Sequence, residues 1–370
     1  MLDSDLIGSL SKNKADTLHL TEIESVEEED WAQLCALLQH NTSIKIFSLC
    51  LPSNLHSHDL NVLSFRQSRV SKLIFALQAH PSLQDFELSL GYLDESLIHD
   101  IIELIYNNKN IQALSLPFNQ LESWHLHLLF PAIHDRKNIH ALNLHNNWLQ
   151  SDSTKLIKNI AISRRMSHLD VSFNNLGNSA VGLLLMPMES SFSKECIEHL
   201  DLSRNNINKF GIFKLFKKLT NPYRSMQLST PKLILNYNSI SCLGGKSLAK
   251  LFKLGFEFDE IHLRNTDITD KTVVTLCESM TGTKDNLVPI SVQVLNLQGL
   301  DIKFNGSAVI ANLIRKSLSL EEVSLSYDRN NASNKLIISE ALRSSLTLKK
   351  FHFLYDGHSN HYSEHRAQYR

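Results

Sequence analysis

The chain has 370 residues, of which 37 are lysine or arginine and 38 are aspartate or glutamate, so the formal net charge is -1 at pH 7. A charge this close to zero produces no overall field that would attract nucleic acid or an anionic membrane, and we expect neither as a partner. No apolar run approaches the roughly 20 residues that a membrane-spanning helix needs.

The first 14 residues do not share the pattern of the rest and predict an N-terminal cap, 1–14. They lack the basic segment and apolar run of a secretory signal. Five cysteines are scattered without any C-x-x-C spacing: Cys35, Cys50, Cys196, Cys242 and Cys277. This usage predicts reduced and mostly buried thiols, as is typical of a soluble protein in a reducing compartment.

One pattern, L-x-x-L-x-L-x-x-N-x-L, recurs through residues 15–356. Its clearest copies run from Ile139 to Leu149 and from Met166 to Leu176, and 28 residues is the commonest interval between copies. The second leucine of the pattern, or its substitute, falls at Leu18, Phe47, Phe86, Leu114, Leu142, Leu169, Leu200, Leu233, Ile261, Leu295, Val323 and Phe351. Each copy predicts a short strand and a returning helix, a unit that needs stacked neighbours to bury its apolar face.

Local signals add detail to the twelve predicted repeats. The Ser25–Glu28 spacing predicts a capping box at the start of a helix in which Trp31 belongs to the core. In the second copy two registers fit, one placing Phe47 and the other Leu49 at the second leucine. Residues 52–82 form the longest interval, and we assign no role to this insertion. Residues 357–370 are polar and predict a C-terminal tail.

The period and the helical spacers resemble the ribonuclease-inhibitor subfamily of leucine-rich repeats. Adjacent strands lie about 4.8 Å apart while packed helices need about 8 to 10 Å, so stacked units must bend. The predicted fold is therefore an α/β leucine-rich-repeat solenoid, a horseshoe with parallel strands on the concave face and helices on the convex face. Irregular repeats in such an Asn-, Ile-, Lys- and Ser-rich chain also resemble effectors that intracellular bacteria deliver into host cells. The predicted location is the cytoplasm, or a host cell reached by a non-classical secretion route.

The asparagines that end the pattern predict a structural role, since a buried amide can satisfy backbone groups of the adjoining turns. They are Asn119, Asn147, Asn174, Asn205 and Asn238. Histidine and aspartate also recur on the strands, as His168 with Asp170 and His199 with Asp201. Such a ladder could bind a metal or respond to pH, but solvated polar surface is the favoured interpretation, and no metal site is predicted.

Aromatic side chains occupy positions that the pattern leaves outside the core. Trp148 follows an asparagine of the pattern, whereas the others precede that position or its equivalent: Phe118, Phe173, Tyr237, Tyr327 and Tyr355. Aromatic residues dominate binding hot spots, so the sequence predicts that these residues bind a partner, together with His168, His199, Asp170 and Asp201.

The sequence contains no P-loop, dinucleotide-binding, zinc-protease, serine-hydrolase or kinase motif. The predicted function is non-catalytic recognition of one or more folded proteins on the concave face, as an inhibitor or as a bacterial effector, without cofactor or evident small-molecule substrate. The alternative is a GTPase-activating protein of the leucine-rich-repeat type. The acidic C-terminal tail of that family is absent here, which counts against the alternative.

Overall fold

A computed structural model describes residues 4–51, 60–163, 166–184, 197–220, 232–256, 258–281, 292–327, 332–355 and 362–365. The chain divides into two compact units, Met1–Asn174 and Asn175–Arg370. Strand and helix alternate along both of them.

The first unit contains six helices and six strands in its described part. The helices are α1 Ser4–Ser11, α2 Glu28–His40, α3 Leu60–Leu77, α4 Glu95–Asn107, α5 Ser123–Asp135 and α6 Ser153–Ser163. The strands are β1 Thr17–Leu20, β2 Ile46–Cys50, β3 Asp85–Ser89, β4 Ala113–Ser115, β5 Ala141–Asn143 and β6 His168–Asp170. Each of these strands pairs in parallel with the next one along the chain.

The second unit continues the alternation through its described residues. Its helices are α7 Gly177–Leu184, α8 Lys209–Leu219, α9 Ser241–Lys253, α10 Asp270–Met280, α11 Phe304–Lys316 and α12 Ala332–Ser344. Its strands are β7 His199–Asp201, β8 Lys232–Ile234, β9 Glu260–His262, β10 Val294–Leu297, β11 Glu322–Tyr327, β12 Lys350–Tyr355 and β13 Tyr362–His365. Strands β7 to β11 each pair in parallel with the next strand along the chain.

The register of the strands confirms the repeat frame. Leu18 faces Phe47, Phe47 faces Phe86, and Leu114 faces Leu142. The second copy therefore uses the register that places Phe47 at the second leucine. Ile46 lies on the exposed face of the sheet as a result, while Phe47 is buried and stacks on the Phe86 ring at 5.7 Å between centroids.

The N-terminal segment caps the first repeat through a buried asparagine. The side chain of Asn41 donates from Nδ2 to the carbonyl of Leu10 in α1 at 2.8 Å, and Leu10 is itself buried. The core position predicted for Trp31 is confirmed, and its indole N–H donates to the carbonyl of Arg69 at 3.1 Å. The predicted capping box is wrong, because Ser25 donates to Glu22 and α2 begins only at Glu28.

A short strand follows the last parallel strand near the C-terminal end. Strand β13 lies within residues 357–370 and pairs antiparallel with β12, where Phe351 faces Glu364 and Phe353 faces Tyr362. The last parallel strand therefore has its backbone groups covered by a returning strand, which leaves a shorter exposed sheet edge.

The predicted α/β solenoid of repeating strands and helices is confirmed. Within each unit the leucine-frame side chains of the strands and the apolar stripes of the helices form one continuous core. In α4, for example, the buried stripe comprises Leu97, Ile98, Ile101, Leu104 and Ile105. Among the described residues, no helix combines the length and apolarity needed to cross a bilayer.

Candidate functional site

A row of buried asparagines fixes the turn that follows each strand of the middle repeats. In the first unit, Asn147 accepts at Oδ1 from the backbone N–H groups of Asn119 (3.0 Å) and Leu121 (2.9 Å). Its Nδ2 donates to the carbonyls of Leu116 at 2.9 Å and Leu144 at 3.0 Å. The second unit repeats this arrangement, with Asn238 accepting from the N–H of Asn205 at 3.0 Å. The structural role predicted for these asparagines is confirmed.

The residue just before each of these turn positions adopts a left-handed backbone conformation. Phe118, Phe173 and Tyr237 have φ of 56°, 55° and 57°. Equivalent positions in other repeats carry Asn146 at 51°, Arg204 at 51° and Gly299 at 71°. Asparagine and glycine adopt this conformation readily, whereas a bulky side chain does so only under constraint. Three predicted aromatic residues therefore occupy a backbone position for which they are poorly suited.

In the first unit, two of these aromatic residues enclose a histidine. The ring of His145 lies 5.1 Å from the Phe118 ring and 4.7 Å from the Phe173 ring, measured between centroids. Phe118 is 39% exposed, and its backbone N–H donates to the carbonyl of His145 at 3.0 Å. Neighbouring repeats thus form one continuous group of rings, which we call the aromatic cluster: Phe118, His145 and Phe173.

A hydrogen-bonded chain holds the central histidine. The hydroxyl of Ser172 donates to Oδ1 of Asp170 at 2.6 Å and lies 2.6 Å from Nδ1 of His145. The backbone N–H of Ser172 donates to the same carboxylate oxygen at 2.9 Å. Asp170 is one of the predicted site residues, and Ser172 links it to His145 of the aromatic cluster.

Trp148 is the most exposed of the predicted site residues for which an exposed fraction is described. Its side chain is 57% exposed, in the repeat that also supplies His145, and its backbone N–H donates to the carbonyl of Leu121 at 2.9 Å. A second exposed tryptophan, Trp124, instead stacks on His125 at 3.5 Å between ring centroids, within helix α5. The Trp148 position on the turn is the one predicted for partner binding.

Small and acidic side chains line the remaining strand face of the first unit. Ser115 donates to Glu87 at 3.1 Å, and Asn143 donates to the hydroxyl of Ser115 at 3.0 Å. Burial raises the pKa of the Cys50 thiol to about 11, with the negative charge of Glu87 adding to the effect. A thiol with this pKa is protonated and unreactive near neutral pH.

The strand face of the second unit carries charges of both signs. Lys232 lies 2.8 Å from Glu260, which His262 also contacts at 3.1 Å. Burial alone would raise the pKa of Glu260, but the hydrogen bonds from Lys232 and His262 hold it below its ordinary value. Farther along, His352 lies 3.1 Å and Lys350 3.5 Å from Glu322.

The remaining predicted site residues are dispersed over this second face or lie at its edges. Tyr237 is 39% exposed, with the guanidinium of Arg264 5.7 Å from its ring centroid. His199 is half-buried, and Asp201 accepts at Oδ1 from the N–H of Ser203 at 2.7 Å. The backbones of Tyr327 and Tyr355 face each other in β11 and β12, and their side chains lie outside the described residues.

The histidine and aspartate predicted on strand β6 of the first unit, His168 and Asp170, bond to different serines. His168 is exposed and lies with its Nδ1 2.9 Å from the hydroxyl of Ser167, while Asp170 bonds to Ser172. Over the part of the chain that the structure describes, no three metal-ligating side chains lie close enough together to hold an ion.

Sequence reasoning missed two residues of these faces, His145 and Arg264. Both lie immediately after the third leucine position of the pattern, two residues beyond the outward residue at the end of the strand, Asn143 or His262. Period-two alternation places that residue on the exposed face as well, and this signal would have identified both. The His145 ring packs on Phe118 and Phe173, and the Arg264 guanidinium lies over the Tyr237 ring.

A groove also lies on the helix side of the first unit, between α2, α3 and α4. Its volume is about 540 Å³, and its lining includes Cys35, Phe75 and Asp100. The Phe75 side chain is 64% exposed there. The sequence pattern gave no indication of this groove, because it forms between the helices of three successive repeats.

A comparison of the sequence with models of known protein families finds no match.

Proposed function

We propose that this chain is a non-catalytic scaffold that binds a folded partner protein on the exposed face of its strands. The observation that carries the proposal is the aromatic cluster of Phe118, His145 and Phe173, with Trp148 exposed on the turn of the same repeat. Exposed aromatic side chains supply large contact areas at low cost in conformational entropy, and they dominate the binding energy of protein interfaces.

The backbone conformation of these residues supports a role in binding. A left-handed conformation in a residue other than glycine or asparagine costs about 1 to 2 kcal/mol. Asn146 occupies the equivalent position in the repeat between those of Phe118 and Phe173, so the fold does not require an aromatic side chain at this position. Phenylalanine at such a position costs the repeat stability, and a contact with another molecule would offset that cost.

The finer proposal places the chain among leucine-rich-repeat proteins that resemble the ribonuclease-inhibitor subfamily. Its support is the repeat pattern together with the row of asparagines, each bonded across neighbouring repeats. On this proposal the chain acts in the cytoplasm, as an inhibitor of its partner or as a bacterial effector inside a host cell. The resemblance of the repeats to such effectors supports this last role.

The experiment is affinity purification from lysate followed by quantitative mass spectrometry. Wild type is compared with Trp148→Ala and with Phe118→Asn, the latter chosen because asparagine suits the left-handed backbone. Trp124→Ala is the matched control, since it removes an exposed tryptophan from helix α5. We expect one protein to be enriched by wild type and by the control, and to be reduced at least about tenfold with either site variant.

Two outcomes would contradict the proposal. Equal recovery of the same protein by wild type and both site variants would remove the aromatic cluster and Trp148 from the interface. Loss of the protein with Trp124→Ala alone would move the interface to the helix side of the first unit. Matching thermal unfolding curves for all variants are required, so that loss of binding is not loss of fold.

A further inference from the structure

We infer that the aromatic cluster receives an arginine side chain, presented by a partner protein whose contact surface is basic. This inference rests on the proposed function and specifies the chemistry of the partner. Three features support this inference: the ring nitrogen of His145 that holds the proton, the phenylalanine rings on both sides of His145, and the charges on the strand face around it.

Hydrogen bonding fixes which nitrogen of His145 carries a proton. The single hydroxyl proton of Ser172 is donated to Asp170, at 2.6 Å from Oδ1. The Ser172 oxygen can therefore only accept from His145, whose Nδ1 lies 2.6 Å away. Neutral His145 must then carry its proton on Nδ1, which leaves a lone pair on Nε2.

The Nε2 atom of His145 is consequently a hydrogen-bond acceptor at the centre of the aromatic cluster. His145 is half-buried, and Nε2 has no hydrogen-bond partner among the described residues. The carboxylate of Asp170 stabilises this arrangement through Ser172, because it accepts two hydrogen bonds from that residue. A complementary partner must bring an N–H or O–H donor to this point.

The rings of Phe118 and Phe173 favour a planar cation as that donor. A cation within about 6 Å of an aromatic ring centroid is attracted by the negative face of the ring. Guanidinium is planar and more weakly hydrated than ammonium, so it can stack on a ring while donating from its edge. Arginine therefore meets the requirements of the two rings and of Nε2 together, whereas lysine supplies a charge and an N–H donor but no planar group that could stack on the rings.

The charges on the strand face of the first unit also favour a basic partner. The outward positions of β1 to β6 carry three acidic residues, Asp85, Glu87 and Asp170, and no lysine or arginine. None of the three forms a salt bridge with a lysine or arginine in the part of the chain that the structure describes. A docking protein with clustered lysine and arginine would supply the missing cations, and this complementarity accelerates association.

The second unit provides a contrast on chemically similar strands. Its outward positions include Lys232, Arg264 and Lys350 beside the acidic Glu260 and Glu322. Glu260 and Glu322 are therefore paired with cations of the same face. Asp85, Glu87 and Asp170 have no such lysine or arginine partner among the described residues, and they lie on the face that bears the aromatic cluster.

The test uses the full chain with short glycine- and serine-rich peptides that carry one central arginine, citrulline or lysine. Citrulline has the shape of arginine without its charge, so it isolates the electrostatic contribution. Nitrogen NMR of the labelled histidines should show His145 protonated at Nδ1. Titration should shift its Nε2 signal with the arginine peptide, which we expect to bind about tenfold more tightly than the citrulline peptide.

Variants assign the effect to named atoms. His145→Phe keeps a ring between Phe118 and Phe173 but removes the acceptor, and it should weaken binding of the arginine peptide about tenfold. Ser172→Ala frees the tautomer and should weaken binding less. His99→Phe, on the exposed side of α4, is the control and should bind as wild type does.

Several results would overturn the inference: equal affinity for arginine and citrulline peptides, no binding of either, unchanged affinity of His145→Phe, or a proton on Nε2 of neutral His145. These results are separable from failure of the proposed function. If the lysate protein still depends on Trp148 and Phe118 while the arginine peptide does not bind, the interface stands and the arginine site is rejected. If neither dependence is found, both proposals fail.

Discussion

The side chain of Asn147 accepts the backbone N–H of Asn119, 28 positions earlier in the chain, at 3.0 Å. The same amide is almost completely buried and also serves Leu121, Leu116 and Leu144. One side chain therefore satisfies two donors and two acceptors in two successive turns. The turn that this side chain bonds is the one in which Phe118 has its left-handed backbone conformation.

Replacing Asn147 by alanine should destabilise the first unit by about 2 to 5 kcal/mol, because each unsatisfied buried donor or acceptor costs about 1 to 3 kcal/mol. Urea denaturation measures the change. The control is Gln150→Ala, at an exposed position of the same repeat. A loss below about 1 kcal/mol would mean that water replaces the amide and that the asparagine row does not hold the turns.

The stability of variants at Phe118 should not follow the size of the new side chain. At φ 56°, asparagine is tolerated, whereas leucine keeps the strain and loses the ring contact with His145. We expect Phe118→Leu to be less stable than Phe118→Asn by about 1 kcal/mol, measured by thermal unfolding. The reverse order would show that apolar packing, and not backbone strain, dominates at this position.

The fold was largely predictable because its information is local and repeated. The leucine frame marks each strand, and Leu114 faces Leu142 as the spacing requires. In the second copy the sequence fits two registers. Only the pairing of Phe47 with Leu18 and Phe86 shows that Phe47 occupies the second leucine position. Neighbouring strands therefore supply the information that a single repeat lacks.

The candidate site was predictable only in part, because its geometry depends on contacts between repeats. The sequence identified Phe118 and Phe173 separately, but not the histidine that joins them. It predicted mostly buried cysteines, yet of the four that the structure describes only Cys277 is buried. The Ser25 signal failed because a nearby Glu22 offers that hydroxyl an alternative partner.

Truncation of Leu142 to alanine should destabilise mainly its own repeat and the two adjacent ones. This side chain is buried in β5, and its loss should cost about 2 to 5 kcal/mol. Because each repeat contacts mainly its neighbours, amide exchange should rise first in β4 and β6 and least in β1. Hydrogen exchange with mass spectrometry can check this gradient, and uniform acceleration across the first unit would contradict it.

Two buried histidines should make the first unit sensitive to acid. Burial lowers the pKa of His80 and of His125 in the folded chain. His125 accepts at Nδ1 from the N–H of Glu122 at 2.9 Å, and His80 lies with Nε2 3.2 Å from Oδ1 of Asn41. Protonating His125 would remove the lone pair that caps helix α5.

The sign of the effect follows from proton binding. Below about pH 6.5 the unfolded chain protonates these histidines while the folded chain resists, so stability falls as the pH drops towards the folded pKa values. Urea denaturation between about pH 5 and 7.5 should show this slope. His125→Gln should reduce it by at most about 1.4 kcal/mol per pH unit, whereas His99→Gln should not. An unchanged slope in His125→Gln would exclude this histidine as the cause.

Among the described cysteines, Cys242 should react first with iodoacetamide. Hydrogen bonds from the hydroxyls of Thr269 and Thr272 lower the pKa of its thiol, whereas burial raises the pKa of Cys35 to about 11 and that of Cys277 to about 12. Because the thiolate is the nucleophile, at about pH 7.5 a thiol of pKa 11 has only about one reactive molecule in several thousand.

Peptide mass spectrometry over a time course measures the labelling rate at each cysteine. The Sγ atom of Cys242 lies 3.2 Å from Oγ1 of Thr269, so Thr269→Val should raise its pKa and slow its labelling, while Thr275→Val on the same helix should not. Equal rates for Cys242 and Cys35 in the wild type would show that accessibility, and not thiolate content, governs the reaction. An unchanged labelling rate of Cys242 in Thr269→Val would show that this hydrogen bond does not cause its reactivity. The reactivity would then be assigned to the exposure of Cys242 at the start of α9.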